Sequence, residues 1–137
     1  MPDSNIDLLR AGYEALSRGD YESLRELIDP KIVLTDRPEV PDARSYRGYE
    51  GMLTTLRDTS DSFEGFRLDP EQFFENGDRI VAVLSMTARG RASGVPVEER
   101  IAHLWTLRGG LAVELRAFTD PADALEAAGL PRSLVAD

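Results

Sequence analysis

Among the side chains of this 137-residue sequence that could move protons or hold developing negative charge, three stand out by position: Asp36, Tyr13 and His103. His103 is the sole histidine. Imidazole ordinarily titrates near neutrality, so it can act as a general acid or base. It alternates with Ile101, Trp105 and Leu107 along one face of a strand-like run, where the other reading is a histidine hydrogen-bonded in the core or at an interface. Trp105 on that face is expected to be a pocket wall or a dimer contact. Tyr13 falls on the apolar stripe of a helix, where a phenol can stabilise an oxyanion or simply pack with its hydroxyl satisfied. Asp36 ends the β-branched run Ile32-Val33-Leu34-Thr35, directly before Arg37-Pro38. At the mouth of an apolar pocket, desolvation would raise such a carboxyl toward the range of a general base; in solvent it would open a turn and pair with Arg37.

Composition removes several other chemistries. Without cysteine there is no disulfide framework, thiol nucleophile or thiolate metal site. One histidine would leave a zinc or iron site dependent on carboxylates, so no metal is expected. Neither a Gly-rich phosphate loop, a dinucleotide fingerprint nor a Ser-His-Asp set appears, and no cofactor is expected. The formal charge of −9 argues against nucleic acid and anionic membranes as partners. Apolar stretches such as Ile80–Leu84 are too short to span a bilayer, and the first residues lack a basic segment leading into an apolar one. A cytoplasmic protein is the expectation.

The elements that must position these groups are legible from period and punctuation. Ile6, Leu9, Tyr13 and Leu16 make one stripe of a helix over residues 4–18, capped by Ser4 and stopped by Gly19. Asp20 caps a second short helix with Leu24, Leu27 and Ile28 inward, ending at Asp29-Pro30. A strand over 32–36 leads into a loop over 37–46. A third helix over about 48–60 turns Met52, Leu53 and Leu56 inward, although Gly48 and Gly51 weaken it. From Phe63 the period becomes two. Strand segments at 66–68 and 72–75 flank a bulge near Pro70, and Asn76-Gly77 signals a hairpin. Strands follow over 79–89, 97–107 and 111–119, joined at Ser93-Gly94 and Arg108-Gly109-Gly110. Asp120-Pro121 starts a last helix that Gly129 stops. One α+β domain spans 1–137, with helices first and meandering strands after.

Four stretches carry a resemblance: Tyr13-Glu14-Ala15-Leu16-Ser17-Arg18-Gly19-Asp20, Tyr46-Arg47-Gly48-Tyr49-Glu50-Gly51, His103-Leu104-Trp105-Thr106-Leu107 before Gly109-Gly110, and Asp123 to Leu130. In this order, over about residues 5–130, the chain resembles the nuclear transport factor 2-like superfamily and its SnoaL-like group. That resemblance implies a cone of helices against a curved, mainly antiparallel sheet enclosing an apolar pocket, and a homodimer. Its members include ketosteroid isomerases, polyketide cyclases, a scytalone dehydratase and epoxide hydrolases, and others that only bind ligands or partners, so fold alone does not give the reaction. By that resemblance Asp36 stands where the isomerases place a proton-shuttling aspartate, with Tyr13 or His103 polarising the substrate oxygen. The oxyanion tyrosine of those enzymes would align nearer Gly12, and their second acid would align with Ala102. Met52, Leu56, Trp105, Arg116 and Phe118 are expected to contact a small hydrophobic substrate. Arg116 also has the reading of a solvated strand position or a partner for a buried acid.

Overall fold

The computed structural model describes residues 4–35 and 45–135; Asp36 and most of the expected 37–46 loop lie outside them. Helix α1 (Asn5–Arg18) begins where the Ser4 hydroxyl accepts the Asp7 amide at 3.1 Å. It ends at Gly19, whose φ of 75° lets its amide reach back to the Ala15 and Leu16 carbonyls. The Asp20 carboxylate caps α2 (Tyr21–Arg25) by accepting from the Ser23 amide and hydroxyl. This second helix is shorter than its apolar stripe suggests. Ile28 opens strand β1 (Ile28–Thr35), because Ile28, Ile32 and Leu34 alternate into the core with a period of two. Pro30 sits in that strand where the pairing with the last strand, Leu111–Phe118, slips, and a residue lacking an N–H is tolerated at such a bulge.

Strand β2 (Ser45–Arg47) pairs with β1 and feeds α3 (Gly48–Ser62). The two glycines that weaken α3 are there for space. A Cβ on Gly48, which has φ 69°, would lie 2.9 Å from the Pro30 carbonyl oxygen, and one on Gly51 would lie 2.9 Å from the Tyr46 Cβ. Helix α3 then delivers the chain to β3 (Phe63–Asn76), β4 (Arg79–Gly90), β5 (Pro96–Arg108) and β6 (Leu111–Phe118). The two expected short segments are a single strand β3, with register shifts at Glu64/Arg67 and at Pro70/Gln72. Asn76 pairs with Arg79, so the hairpin loop is Gly77-Asp78, one residue later than the Asn-Gly signal placed it. The Asn76 side chain is used elsewhere: its amide donates to the Ala128 carbonyl at 2.8 Å, at the end of α4 (Pro121–Ala127).

The sheet order is β2-β1-β6-β5-β4-β3, antiparallel except where β1 runs parallel to β6. Both faces of its centre are covered. One face of β4 and β5, with Ile80, Ala82, Leu84 and Ile101, joins residues of α1, α3 and β1 in the main core. The other, with Val81, Val83, Ala102 and Leu104, packs beneath Ala124, Leu125 and Ala128 of α4. Double coverage explains why Ile80–Leu84 is an unbroken apolar run rather than an alternating one. No helix of the described residues is long and apolar enough to cross a membrane.

Candidate functional site

Strand β5 sets the site by its parity. Ala102 and Leu104 point under α4, so His103 and Trp105 point the other way, toward α1 and α3. His103 is flanked across the sheet by Ala82 and Ala117, whose methyls leave room beside the ring. From the opposite wall, α1 brings Tyr13, which is 4% exposed.

These three side chains form one hydrogen-bonded cluster. The Trp105 Nε1–H donates to the Tyr13 hydroxyl oxygen at 2.7 Å, and the same oxygen lies 2.7 Å from His103 Nδ1. The Tyr13 and His103 rings are nearly parallel with centroids 5.8 Å apart, while Trp105 stands edge-on to both at 6.1 Å. Burial pushes the Tyr13 phenol far above its ordinary pKa, and the hydrogen bond from Trp105 offsets only part of that. Tyr13 is therefore a neutral phenol throughout the physiological range.

The cluster lines a cavity of about 190 Å³ bounded by α1, α2, α3 and the concave face of the sheet. Leu9, Leu16, Leu34, Met52, Leu56, Phe66, Leu68 and Leu115 supply most of the wall. Among the described residues, no Asp, Glu, Lys or Arg side chain lines it. Thr55 and Thr59 also face inward, but their hydroxyls donate to the Gly51 and Thr55 carbonyls of α3 and present methyls and lone pairs to the cavity. A wider cleft of about 250 Å³ adjoins it, lined by Glu14, Arg18, Arg67 and Asp69. Arg67 pairs with Asp69 at 2.9 Å and Arg18 with Asp20 at 3.5 Å, all solvent-exposed, which is ordinary polar surface.

Of the sequence-nominated residues, Tyr13, His103, Trp105, Met52 and Leu56 converge on the cavity. Phe118 and Arg116 do not. Parity turns both to the opposite face of β6, where Phe118 packs with the α4 cluster and the Arg116 guanidinium lies 5.0 Å from its ring. Asp36 lies outside the described residues, although Thr35, its neighbour in sequence, lines the cavity. Gly12, where the isomerase tyrosine would align, is buried, and a Cβ there would lie 3.1 Å from Leu27 Cδ1. Ala102, where the isomerase acid would align, is buried on the α4 side of the sheet. The residues sequence reasoning missed, Thr55 and Thr59, lie at three- and four-residue steps with Met52 and Leu56. A search for apolar side chains passes over such threonines, although the period alone marks them as inward-facing.

Among the described residues no group of three or more histidine and carboxylate side chains is placed to hold a metal ion. The described residues thus form a mainly apolar chamber in whose wall a neutral phenol, an imidazole and an indole are already bonded to one another.

A helix-filled, strongly asymmetric sheet of this kind is the nuclear transport factor 2-like, ketosteroid isomerase-like fold. The chain belongs to the SnoaL-like domain family, whose profile matches residues 9–115. An uncharacterized protein of Mycobacterium tuberculosis is 28% identical over 123 residues, 88% of this chain and 92% of that one. Among solved structures, a nuclear transport factor 2-like protein from Burkholderia thailandensis superposes with a TM-score of 0.78 at 24% identity, covering 95% of this chain and all of the other. TerC, co-crystallized with polyporic acid, superposes with a TM-score of 0.77 at 23% identity over 91% and 98% of the two chains. At these identities the two structures establish the fold alone.

Proposed function

We propose that this protein binds an uncharged, mainly apolar small molecule in the cavity, with the molecule's one polar group directed to the Tyr13–His103–Trp105 cluster. The observation that carries this reading is the lining itself: among the described residues, a mainly apolar wall without a charged side chain that includes the Tyr13–His103–Trp105 cluster. Against the described wall an anionic ligand would be desolvated with no cation to meet it, at a cost of several kcal/mol. Size narrows the class further. A dry cavity of about 150 Å³ holds benzene, whereas pockets for drug-sized molecules run to about 300–1,000 Å³. A chamber of about 190 Å³ suits one ring with substituents, or two small fused rings.

The reaction we favour is cofactor-free acid–base chemistry of the isomerase, cyclase, dehydratase or hydrolase kind, with Asp36 moving the proton. The described cavity wall supplies hydrogen-bond donors but no carboxylate, and Asp36 follows directly on Thr35. Trp105 is the only tryptophan in the chain, so its fluorescence reports on the cavity without labelling. Titration with a panel of uncharged one- and two-ring ketones and phenols should give a saturable change for at least one of them, and Leu56→Phe should weaken it roughly tenfold by filling the chamber. A flat response to the whole panel, with no molecule retained on extraction of protein purified from cells, would remove the reading. For any compound that turns over, Asp36→Asn should cut kcat by two to four orders of magnitude with the melting temperature nearly unchanged. Equal turnover in that variant would leave a binding module.

A further inference from the structure

We infer that Tyr13 acts as a positioning residue that holds His103 in the tautomer protonated at Nε2, so that any group meeting that nitrogen, ligand or protein, meets an N–H donor. The bearing of this on a ligand rests on the cavity reading above; the tautomer itself rests on the geometry of the cluster.

An indole N–H can only donate, so the 2.7 Å contact between Trp105 and Tyr13 must fill a lone pair of the phenol oxygen. The phenol has one proton. Burial keeps that proton in place, because the phenolate is strongly disfavoured in this surround. His103 Nδ1 lies 2.7 Å from the same oxygen, and two arrangements are conceivable. In one, Tyr13 donates to an unprotonated Nδ1. In the other, Nδ1–H donates to Tyr13, whose oxygen would then accept twice while its own proton needs a further acceptor. Among the described residues Tyr13 has no hydrogen-bond partners besides His103 and Trp105. Only the first arrangement satisfies every buried proton. Nδ1 therefore accepts, and the ring proton sits on Nε2.

The consequence separates two roles that the residue types alone leave open. Tyr13 has both its proton and one oxygen lone pair committed inside the cluster, so it is not the donor to a ligand oxygen. His103 in its neutral form has no lone pair left over for use as a general base: Nδ1 is occupied by Tyr13 and Nε2 is protonated. The imidazole is thus a fixed donor, and proton abstraction falls to another group, for which Asp36 is the candidate.

A single histidine makes the test direct, because the full-length chain labelled with ¹⁵N gives one imidazole pattern and needs no assignment. A long-range proton–nitrogen correlation spectrum of the neutral ring should show Nδ1 as pyridine-like and Nε2 as pyrrole-like. The Tyr13 hydroxyl proton should be slow to exchange and show through-hydrogen-bond coupling to Nδ1. A pyrrole-like Nδ1, or a fast average of the two tautomers, would overturn the inference. So would the absence of that coupling in a well-resolved hydroxyl signal. In Tyr13→Phe the pattern should become a mixture of tautomers; an unchanged pure Nε2–H pattern would assign the lock to some other contact. Because the unaltered protein alone decides the tautomer, poor folding of the variant would not blunt the test. Failure here would leave saturable ligand binding untouched, and absence of any ligand would leave the tautomer untouched.

Discussion

The two faces of the central strands β4 and β5 are built from alternate residues of the same few turns of chain, yet they are packed to different ends. Beneath α4, Val81, Val83, Ala102, Leu104, Ala124, Leu125 and Ala128 are all 3% exposed or less. On the concave side, Ile80, Ala82 and Leu84 are just as buried, but His103 and Trp105 line the chamber and stay partly accessible. Close packing is worth roughly 25 cal/mol for each Å² of apolar surface removed from water. A lined but unfilled volume gives up contacts that a filled one would make. The α4 face thus serves stability, whereas the concave face gives some of it up to keep space beside a polar cluster.

The largest test of that division compares two leucine truncations. Leu125→Ala, at a fully buried position under α4, should destabilise the protein by about 3 kcal/mol, within the range for core leucines that leave a new cavity. Leu56→Ala only enlarges a chamber that already exists, and about 1 kcal/mol is expected. Urea unfolding of the two variants measures both. Equal losses would mean that the chamber wall is as tightly packed as the α4 face, and the contrast would fail.

An intermediate effect isolates the cluster by pH. The Tyr13 phenol has a raised pKa in the folded state, because burial disfavours the phenolate, and an ordinary one, about 10, in the unfolded chain. Above that value the unfolded state releases a proton that the folded state keeps, so this contribution is fully present below about pH 10 and declines as the pH rises. Melting temperature of the wild type should therefore fall more steeply than that of Tyr13→Phe on passing from neutral to alkaline solution. Parallel curves would show that the phenol is not buried as described.

What the sequence made legible follows the same division. Helices α1 and α4 are evident because their caps are local: Ser4, Gly19, Asp120-Pro121 and Gly129 act within a turn or two of their own positions. The alternation that puts His103 and Trp105 on one face is local as well. Phe118 and Arg116 were harder, because the strand period says only that they share a face, not which face α4 will cover. Helix α2 is overrun in sequence because Leu27 and Ile28 continue its stripe, and only the pairing of Ile28 with Ala112 across the sheet makes a strand there. The cluster itself depends on contacts between residues 90 and 92 positions apart, which no local pattern encodes.

The smallest effect asks what fastens α4 to the sheet. Asp120 does two things at its start: its carboxylate accepts the Ala122 amide at 2.9 Å, and it lies 3.7 Å from the Arg132 guanidinium, which also pairs with Asp123 at 2.6 Å. The hydrogen bond is an N-cap, worth about 1 kcal/mol, whereas a solvent-exposed ion pair at the longer distance contributes much less. Asp120→Ala should therefore lower stability by about 1 kcal/mol, and Asp120→Asn, which retains a capping oxygen but not the charge, by only a few tenths. If Asn proves as costly as Ala, charge rather than capping holds the helix start. In either case the loss should stay well below that of Leu125→Ala, because the apolar face of α4, buried to exclusion of water, contributes more to its docking than either contact at its end.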